Sequence, residues 1–289
     1  MEHGICKLCQ HEADLCNSHL LPKAVFQKIR SGDATNHISV ISDNTSRFPR
    51  GNGSVFRPML CHDCEEKFSR YEKNVISYCL GNENHRALAK LLAPLEGIYV
   101  EKGIDGIFYP PCEYQGIWCG RDFYYFALSI LWRNSTMRWG EKNVDLYYHA
   151  LGELYENKIR EFLFEDNKPS VENVFLICAF NNGVLNAPVA YFPSFQRVDG
   201  TYRNHEFAIP GIRFMVIIGK ELHPVLKAMF IDSNVALVSC DLRGSAHEKT
   251  LLLQMGTATE TGKMIEAHKK WLSCHQTYLI PANKDKKND

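Results

Sequence analysis

Cys6-Lys7-Leu8-Cys9 and, about fifty residues later, Cys61-His62-Asp63-Cys64 are the two stretches that decide the fold of this chain. In each pair, the two intervening residues let the chain turn so that both sulfurs reach one ion. Two pairs supply four thiolates, the ligand number of a tetrahedral structural zinc site. The gap between the pairs is longer than in many zinc modules, so the ion would fasten the two ends of an insert. We therefore predict that Cys6, Cys9, Cys61 and Cys64 share one structural zinc.

Coincidence and redox chemistry are the two alternatives to zinc for these cysteine pairs. The chain has 11 cysteines, enough for two such pairs to arise by chance, and Cys-x-x-Cys is also a redox motif. Redox pairs usually belong to a βαβ pattern, and no such pattern surrounds Cys6 or Cys61. The insert is polar and rich in glycine, so it has little core of its own. We therefore expect metal binding to support its folding.

The overall composition narrows the class of protein. Across 289 residues, 33 Lys and Arg balance 33 Asp and Glu, so no global positive charge points to nucleic acid. No apolar run approaches the ~18 residues of a membrane span, and we expect no membrane association. No secretory signal pattern precedes Cys6. The cysteines outside the two pairs are therefore predicted to be reduced thiols in a cytoplasmic protein.

The order of the predicted elements indicates an α+β fold. We predict a zinc-binding module over residues 1–80, an α+β domain over 81–283 and a disordered charged tail over 284–289. In the second domain, helices come first and a mostly antiparallel sheet follows. The predicted helices are 23–30, a segment from 63 onward, 84–95, 121–139, 143–164 and 260–274. The predicted strands are 15–20, 173–180, 187–195, 213–219 and 234–240.

The residues with the clearest chemistry lie close to the cysteine pairs. His19 ends the strand predicted in the insert, and Glu65 directly follows the last cysteine of the second pair. If one ion joins the pairs, the two side chains are brought close together. A histidine near its neutral pKa can take a proton from water, and a carboxylate can hold a hard divalent cation. Glu72 lies about two helical turns beyond Glu65 on the same face, so it is a third candidate.

This arrangement resembles the zinc-braced HNH endonucleases. The matching elements are the first cysteine pair, the run Ser18-His19-Leu20-Leu21-Pro22, and the second pair followed at once by Glu65. The resemblance covers roughly the first quarter of the chain and implies a ββα-metal core. It also implies that His19 is the general base and that magnesium or manganese is the catalytic cation, bound by Glu65.

Two positions depart from the HNH pattern. The family often has an Asp ligand where this chain has Ser18, and an Asn where it has Glu65. Serine is a poor magnesium ligand, so Asn17, Glu72 or water would supply the missing contact, and the charge of Glu65 could offset the missing Asp. The chain also resembles a variant HNH-like group in which Cys-x-x-Cys-Glu is followed by Phe-Ser and then Glu. The matching stretch here is 68–72, and the apolar segment 126–133 is similar to a helix of that group.

Three arginines in the insert are candidate phosphate contacts. Arg47, Arg50 and Arg57 each offer the bidentate fork that suits a phosphate group. However, nine acidic residues nearly balance ten basic ones over residues 1–74. A solvated loop without a ligand accounts for these arginines equally well.

Two hypotheses follow for the whole chain. In the first, the protein is a metal-dependent endonuclease that cleaves phosphodiester bonds of nucleic acid, DNA in particular. In the second, it is a non-catalytic zinc-ribbon module that binds nucleic acid or protein; His19 then only bonds the backbone, and Glu65 is a first-turn carboxylate favoured by the helix dipole. In both, we expect the second domain to serve target recognition, contact with a protein partner or self-association.

Overall fold

A computed structural model of the protein describes residues 2–32, 39–41, 55–80, 94–100, 106–110, 120–140, 145–165, 167–181, 189–198, 202–231 and 233–240. The strands are β1 (Glu2–Ile5), β2 (Glu12–His19), β3 (Ser39–Ile41), β4 (Phe56–Cys61), β5 (Ile98–Val100), β6 (Gly106–Tyr109), β7 (Val174–Asn181), β8 (Val189–Val198), β9 (Tyr202–Ile209), β10 (Ile212–Ile218) and β11 (Val235–Cys240). The α-helices are α1 (Lys23–Gly32), α2 (His62–Leu80), α3 (Gly120–Thr136), α4 (Glu153–Glu165) and α5 (Pro224–Met229), and a 3₁₀ turn covers Asp145–Tyr147. The predicted helix 260–274 and the tail 284–289 lie outside the described residues, as does nearly all of the predicted helix 84–95.

The N-terminal strands form a small antiparallel sheet in the order β1-β2-β4. The first cysteine pair lies in the turn that joins β1 to β2, and the second pair begins at the last residue of β4 and continues into α2. In register, Leu15 of β2 pairs with Cys61 of β4, and His19 pairs with Phe56. The two cysteine pairs therefore meet at one end of this sheet, while His19 lies at the far end of β2.

The remaining strands form one eight-stranded sheet in the order β3-β8-β9-β10-β7-β11-β6-β5. Five of its pairings are antiparallel, and two are parallel, β11 with β7 and β3 with β8. The predicted α+β class with a mostly antiparallel sheet is confirmed. Strand β9 was not predicted, because its first half, Tyr202-Arg203-Asn204-His205-Glu206, is polar and lacks the apolar run of its neighbours.

The two faces of the large sheet pack on different helices. On one face, Phe207 and Phe214 contact Phe126 of α3, with ring centroids 6.1 and 5.3 Å from it. On the other face, Ile177 and Ile217 belong to a smaller cluster that includes residues of α5 and Phe230. Alternate residues of the strands therefore enter different cores, as the twofold periodicity of a strand requires.

Helix α3 is buried on every side. All residues from 123 to 135 are buried, the pattern of a helix enclosed by protein rather than one lying at a surface. The large sheet covers one side, and α2 covers another through Tyr71 and Phe68, whose rings lie 3.8 and 5.8 Å from Tyr125. Among the described residues, none of the helices has the length and apolar character needed to cross a membrane.

The packing around α3 joins the two predicted domains. Helix α2 ends at Leu80, where the boundary was predicted, but one hydrophobic cluster includes residues from both sides of it. In addition, β3 lies within the segment 1–80 and pairs with β8 of the large sheet. The predicted N-terminal module and the second domain therefore share a core.

The predicted helix 143–164 is wrong in its first half. A 3₁₀ turn ends at Tyr147, and α4 begins only at Glu153. Between them, His149 and Gly152 have φ angles of 61° and 74°, values in the left-handed region that interrupts a right-handed helix. Their turn directs Tyr147 into the core.

Tyr147 reaches a buried histidine on β9. Its hydroxyl lies 2.6 Å from Nδ1 of His205, which is fully buried. Burial lowers the pKa of His205 to about 3, and the positive charge of Arg203 contributes to the same shift. The folded protein therefore holds a neutral imidazole at this position over the whole physiological pH range.

We expect His205 to make the protein less stable in mild acid. Below its ordinary pKa of 6.5, His205 takes up a proton in the unfolded chain and not in the folded one, so the free energy of unfolding falls as pH falls. The loss between pH 7 and pH 5 should be about 2 kcal/mol greater in the wild type than in His205→Gln, measured by urea unfolding. An equal loss in the two proteins would contradict a buried neutral histidine.

Candidate functional site

The four paired cysteines form one compact group. The sulfurs of Cys6, Cys9, Cys61 and Cys64 all lie within 4.8 Å of one another, and those of Cys9 and Cys61 are 3.9 Å apart. A tetrahedral zinc with bonds of about 2.3 Å places its sulfur ligands about 3.8 Å apart. The group can therefore hold a metal ion, and its geometry is compatible with structural zinc.

Backbone hydrogen bonds set the positions of these sulfurs. Gln10 has a φ of 65° and donates its N–H to the carbonyl of Cys6 at 2.9 Å, which closes the first turn. Lys7 donates to the carbonyl of Met59 at 3.0 Å, so the turn is held against β4. The N–H of Cys61 in turn donates to the sulfur of Cys6 at 3.3 Å. Such N–H donors stabilise a thiolate.

The pKa values of Cys6, Cys9 and Cys64 shift in different directions. Cys64 donates a hydrogen bond to Cys6, which is the main reason that the pKa of Cys6 is lowered to about 4, and the pKa of Cys64 is raised by the same interaction. Burial raises the pKa of Cys9. Four adjacent thiolates repel one another, so a bound cation is needed to keep all four deprotonated. Soft sulfur ligands of this number favour zinc.

A β-bulge brings Ser18 towards Glu65. The pairing of β2 with β4 shifts between Cys16 and Asn17, and the burial pattern shifts with it, so that Ser18 is fully buried and Asn17 is exposed. Bulges of this kind redirect side chains and are common next to active sites. The alternation of the strand alone does not predict the inward position of Ser18.

Ser18 and Glu65 place two unsatisfied oxygen atoms in the interior. Burial raises the pKa of Glu65, although Arg133 and the nearby Ser18 act to lower it. Despite this proximity, the hydroxyl of Ser18 and Oε1 of Glu65 are buried without a hydrogen-bond partner. Buried polar atoms normally have one, and an orphan costs roughly 1–3 kcal/mol. Two neighbouring oxygen atoms of this kind suit a hard cation or a bound water.

His19 is half-buried at the end of β2. Its pKa is lowered by burial first, and then by the positive charges of Arg133 and Lys23, while Glu72 opposes this shift. The ring lies 5.8 Å from that of Phe56 on the paired strand. His19 is therefore neutral at pH 7, the form that can accept a proton.

Glu72 forms a buried ion pair with an arginine of the second domain. Its Oε1 lies 2.5 Å from Nη2 of Arg133, and the two side chains are 16% and 2% exposed, respectively. Arg133 also donates to the backbone carbonyl of His19 at 2.6 Å. The structure thus places the predicted residues His19, Glu65 and Glu72 around the guanidinium of Arg133. This guanidinium forms its ion pair with Glu72.

Arg133 is the residue of this site that the sequence analysis missed. It belongs to the apolar segment 126–133, to which no separate role for the arginine was assigned. A signal was present, because Arg133 is the one charged residue within the buried run 123–135 of this helix. A buried arginine is rare unless it is paired, so its position could have prompted a search for an acidic partner.

Of the three arginines predicted to contact phosphate, the structure describes only Arg57. Arg47 and Arg50 lie outside the described residues. Arg57 is exposed on β4, in register with Ser18, and donates from Nη1 to the carbonyl of Phe56 at 3.1 Å. Its guanidinium lies against Gly140, where an added Cβ would come within 2.1 Å of Nη2. Arg57 is thus a surface cation on the strand next to the site.

Comparisons of the chain with protein-family models, with curated proteins and with solved structures found no match. The likeness to zinc-braced HNH endonucleases therefore stays a prediction that rests on the motif residues themselves.

We expect Cys61→Ser to abolish metal binding. The substitution replaces one of four soft ligands by a weak one, so zinc bound per chain, measured by elemental analysis of the purified protein, should fall from one ion to well below one. Cys16→Ser is the matched control, because Cys16 is a half-buried thiol of the adjacent β2 that lies outside the group. Equal metal content in the two variants would exclude a shared four-cysteine site.

Replacing Glu72 by leucine should strongly destabilise the protein. Glu72→Leu leaves the guanidinium of Arg133 buried without its anion, which costs about 3–5 kcal/mol of unfolding free energy. Glu66→Leu, at an exposed position of the same helix, should change it by less than about 0.5 kcal/mol. Urea unfolding measures both. If the two variants lost the same free energy, the ion pair would not be a buried one.

Proposed function

We propose that the protein is a metal-dependent endonuclease that cleaves phosphodiester bonds of nucleic acid, with DNA as the expected substrate. One observation carries the proposal: the half-buried imidazole of His19 and the carboxylate of Glu65, whose Oε1 is buried without a partner, both lie within reach of the charge of Arg133. The motif order that resembles HNH endonucleases supports the same function. We also place the activity in the cytoplasm, where free thiols such as those of the described cysteines stay reduced.

In this proposal, His19 is the general base. Burial and the charge of Arg133 lower the pKa of its imidazole, so the ring is free to accept a proton from the water that attacks phosphorus. The hydrogen bond from Arg133 to the backbone carbonyl of His19 holds this end of β2 in place. A base held in one orientation reacts faster than a mobile one.

Glu65 is the proposed ligand of a catalytic magnesium or manganese ion, and water would supply the contact that Ser18 cannot. The unpartnered Oε1 of Glu65 fits the preference of these ions for hard oxygen ligands. When bound, such an ion polarises the scissile phosphate and stabilises the developing charge. Glu72 is not needed as a ligand, because Arg133 already engages its carboxylate.

Zinc has a structural role in the proposed mechanism. Bound to the four cysteines, it would fasten the turn between β1 and β2 to the junction of β4 and α2. This junction carries Glu65, and β2 carries Ser18 and His19. The ion would thereby hold the base on β2 close to the carboxylate on α2.

Basic side chains of the insert are the proposed contacts with the nucleic-acid backbone. Arg57 is exposed on the strand beside Ser18, and Arg47 and Arg50 would add further phosphate contacts. We assign recognition of the target or of a protein partner to the second domain, which carries the large sheet. Self-association through that domain is the other role that we propose for it.

A non-catalytic binding module is the second candidate function. The observation that favours it is the replacement of a metal-binding Asp by Ser18, together with the neutralisation of Glu72 by Arg133. A module of this kind would keep the zinc-bound scaffold and bind nucleic acid or protein without cleaving it.

Cleavage by the wild type and by His19→Ala distinguishes the two functions. With plasmid DNA or RNA and with magnesium or manganese, we expect the wild type to cut and His19→Ala to be slower by at least about 100-fold, because general bases contribute roughly 10²–10⁴-fold. His62→Ala, at an exposed histidine of the same module, should keep its activity, and both variants should keep their zinc. Binding without cleavage by the wild type under either cation would favour the second candidate.

A further inference from the structure

Arg133 contacts the N-terminal module at three residues, His19, Glu72 and Phe68. One Nη donates to the carbonyl of His19 at 2.6 Å, and the other lies 2.5 Å from the carboxylate of Glu72. Its Nε donates to the carbonyl of Ser129 at 3.3 Å, and the guanidinium covers the ring of Phe68 at 5.2 Å. A single buried group of the second domain thus contacts β2 and α2, the two elements that carry the proposed base and the proposed metal ligand.

The contact of Arg133 with His19 lies at the end of strand β2. Residue 19 is the last residue of β2. Beyond it, the N–H of Leu20 donates to the carbonyl of Val55 at 3.0 Å, just before β4 begins. Arg133 is therefore a fixed donor at the point where the chain leaves the sheet.

The ion pair with Arg133 gives Glu72 a different role from that of Glu65, another acidic residue of α2. Glu72 acts to raise the pKa of both His19 and Glu65, so its charge and that of Glu65 bear on the same region. The guanidinium neutralises Glu72 at close range, whereas Oε1 of Glu65 stays without a partner. One carboxylate thus serves as an anchor for the arginine, and the other remains available to a cation.

We propose that Arg133 is a positioning residue of the nuclease site, so that the site is complete only when α3 of the second domain is docked on the N-terminal module. This inference rests on the proposed nuclease function and assigns the second domain a direct part in it. Arg133 acts through the backbone of His19 and through Glu72, and it does not itself touch the reacting atoms.

The test compares the cleavage kinetics of Arg133→Met, Arg133→Lys and Arg160→Met in the full-length protein. Arg160 is the matched control, because it also reaches from the second domain to a backbone carbonyl of the module, that of Leu8, at 3.1 Å. We expect Arg133→Met to lower kcat by about 100-fold, the scale of a misplaced catalytic group, with KM changed by less than about threefold. Arg133→Lys keeps the charge and one donor, so it should recover about tenfold of the loss.

A second readout reports the geometry without relying on activity. Hydrogen exchange of the Leu20 amide should be at least about tenfold faster in Arg133→Met than in the wild type, since the end of β2 is released. In Arg160→Met, both the exchange of Leu20 and kcat should stay within about twofold of the wild type. Zinc content should be unchanged in all three variants.

The outcomes separate the inference from the proposed function. If the wild type cleaves and Arg133→Met cleaves equally well, or if Arg160→Met loses as much kcat, the positioning role is overturned and the nuclease function stands. A loss confined to KM would also overturn it, because it would point to substrate binding. If the wild type does not cleave, the proposed function fails, and the positioning role in catalysis fails with it.

Discussion

Helix α3 is buried around its whole circumference from residue 123 to residue 135 and therefore has to be covered on every side. The eight-stranded sheet covers one side through Phe207 and Phe214, and α2 covers another through Phe68 and Tyr71. Neither partner alone would remove enough apolar surface from water, since burial contributes about 25 cal/mol for each Å². Burial of the apolar side chains of this one helix thus joins the N-terminal module to the second domain in a single core.

The same helix carries the charge that organises the candidate site. Once α3 is enclosed, Arg133 is buried as well and has to find an anion and carbonyl acceptors. Glu72 and the backbone of His19 meet that need. The docking of two units and the arrangement of the candidate catalytic residues are therefore consequences of one packing requirement.

The site also keeps unsatisfied buried polar atoms, as do Trp132, Asn134 and Trp139 elsewhere among the described residues. The hydroxyl of Ser18 is buried and has no hydrogen-bond partner. Oε1 of Glu65 is also buried and also lacks a partner. The β-bulge in β2 is what turns Ser18 inward. Local departures from good packing and pairing rules concentrate at functional sites, where their cost is offset by the rest of the fold. A compact group of cysteines next to these atoms would provide such an offset if it binds zinc.

Sequence alone determined the features that depend on local spacing. The two-residue interval between cysteines identified all four members of the cysteine group that could hold a metal ion. Apolar runs located α1, α2, α3 and the strands β7, β8, β10 and β11 to within a few residues. Strand β9, the break before α4 and the pairing of β3 with the large sheet were missed, because polar residues, left-handed φ angles and distant partners leave no local apolar pattern. Only the tertiary structure showed that Arg133 reaches His19 and Glu72, since this contact joins residues that are 114 and 61 positions apart. Such a contact depends on how α3 is enclosed, and no period in the chain encodes that.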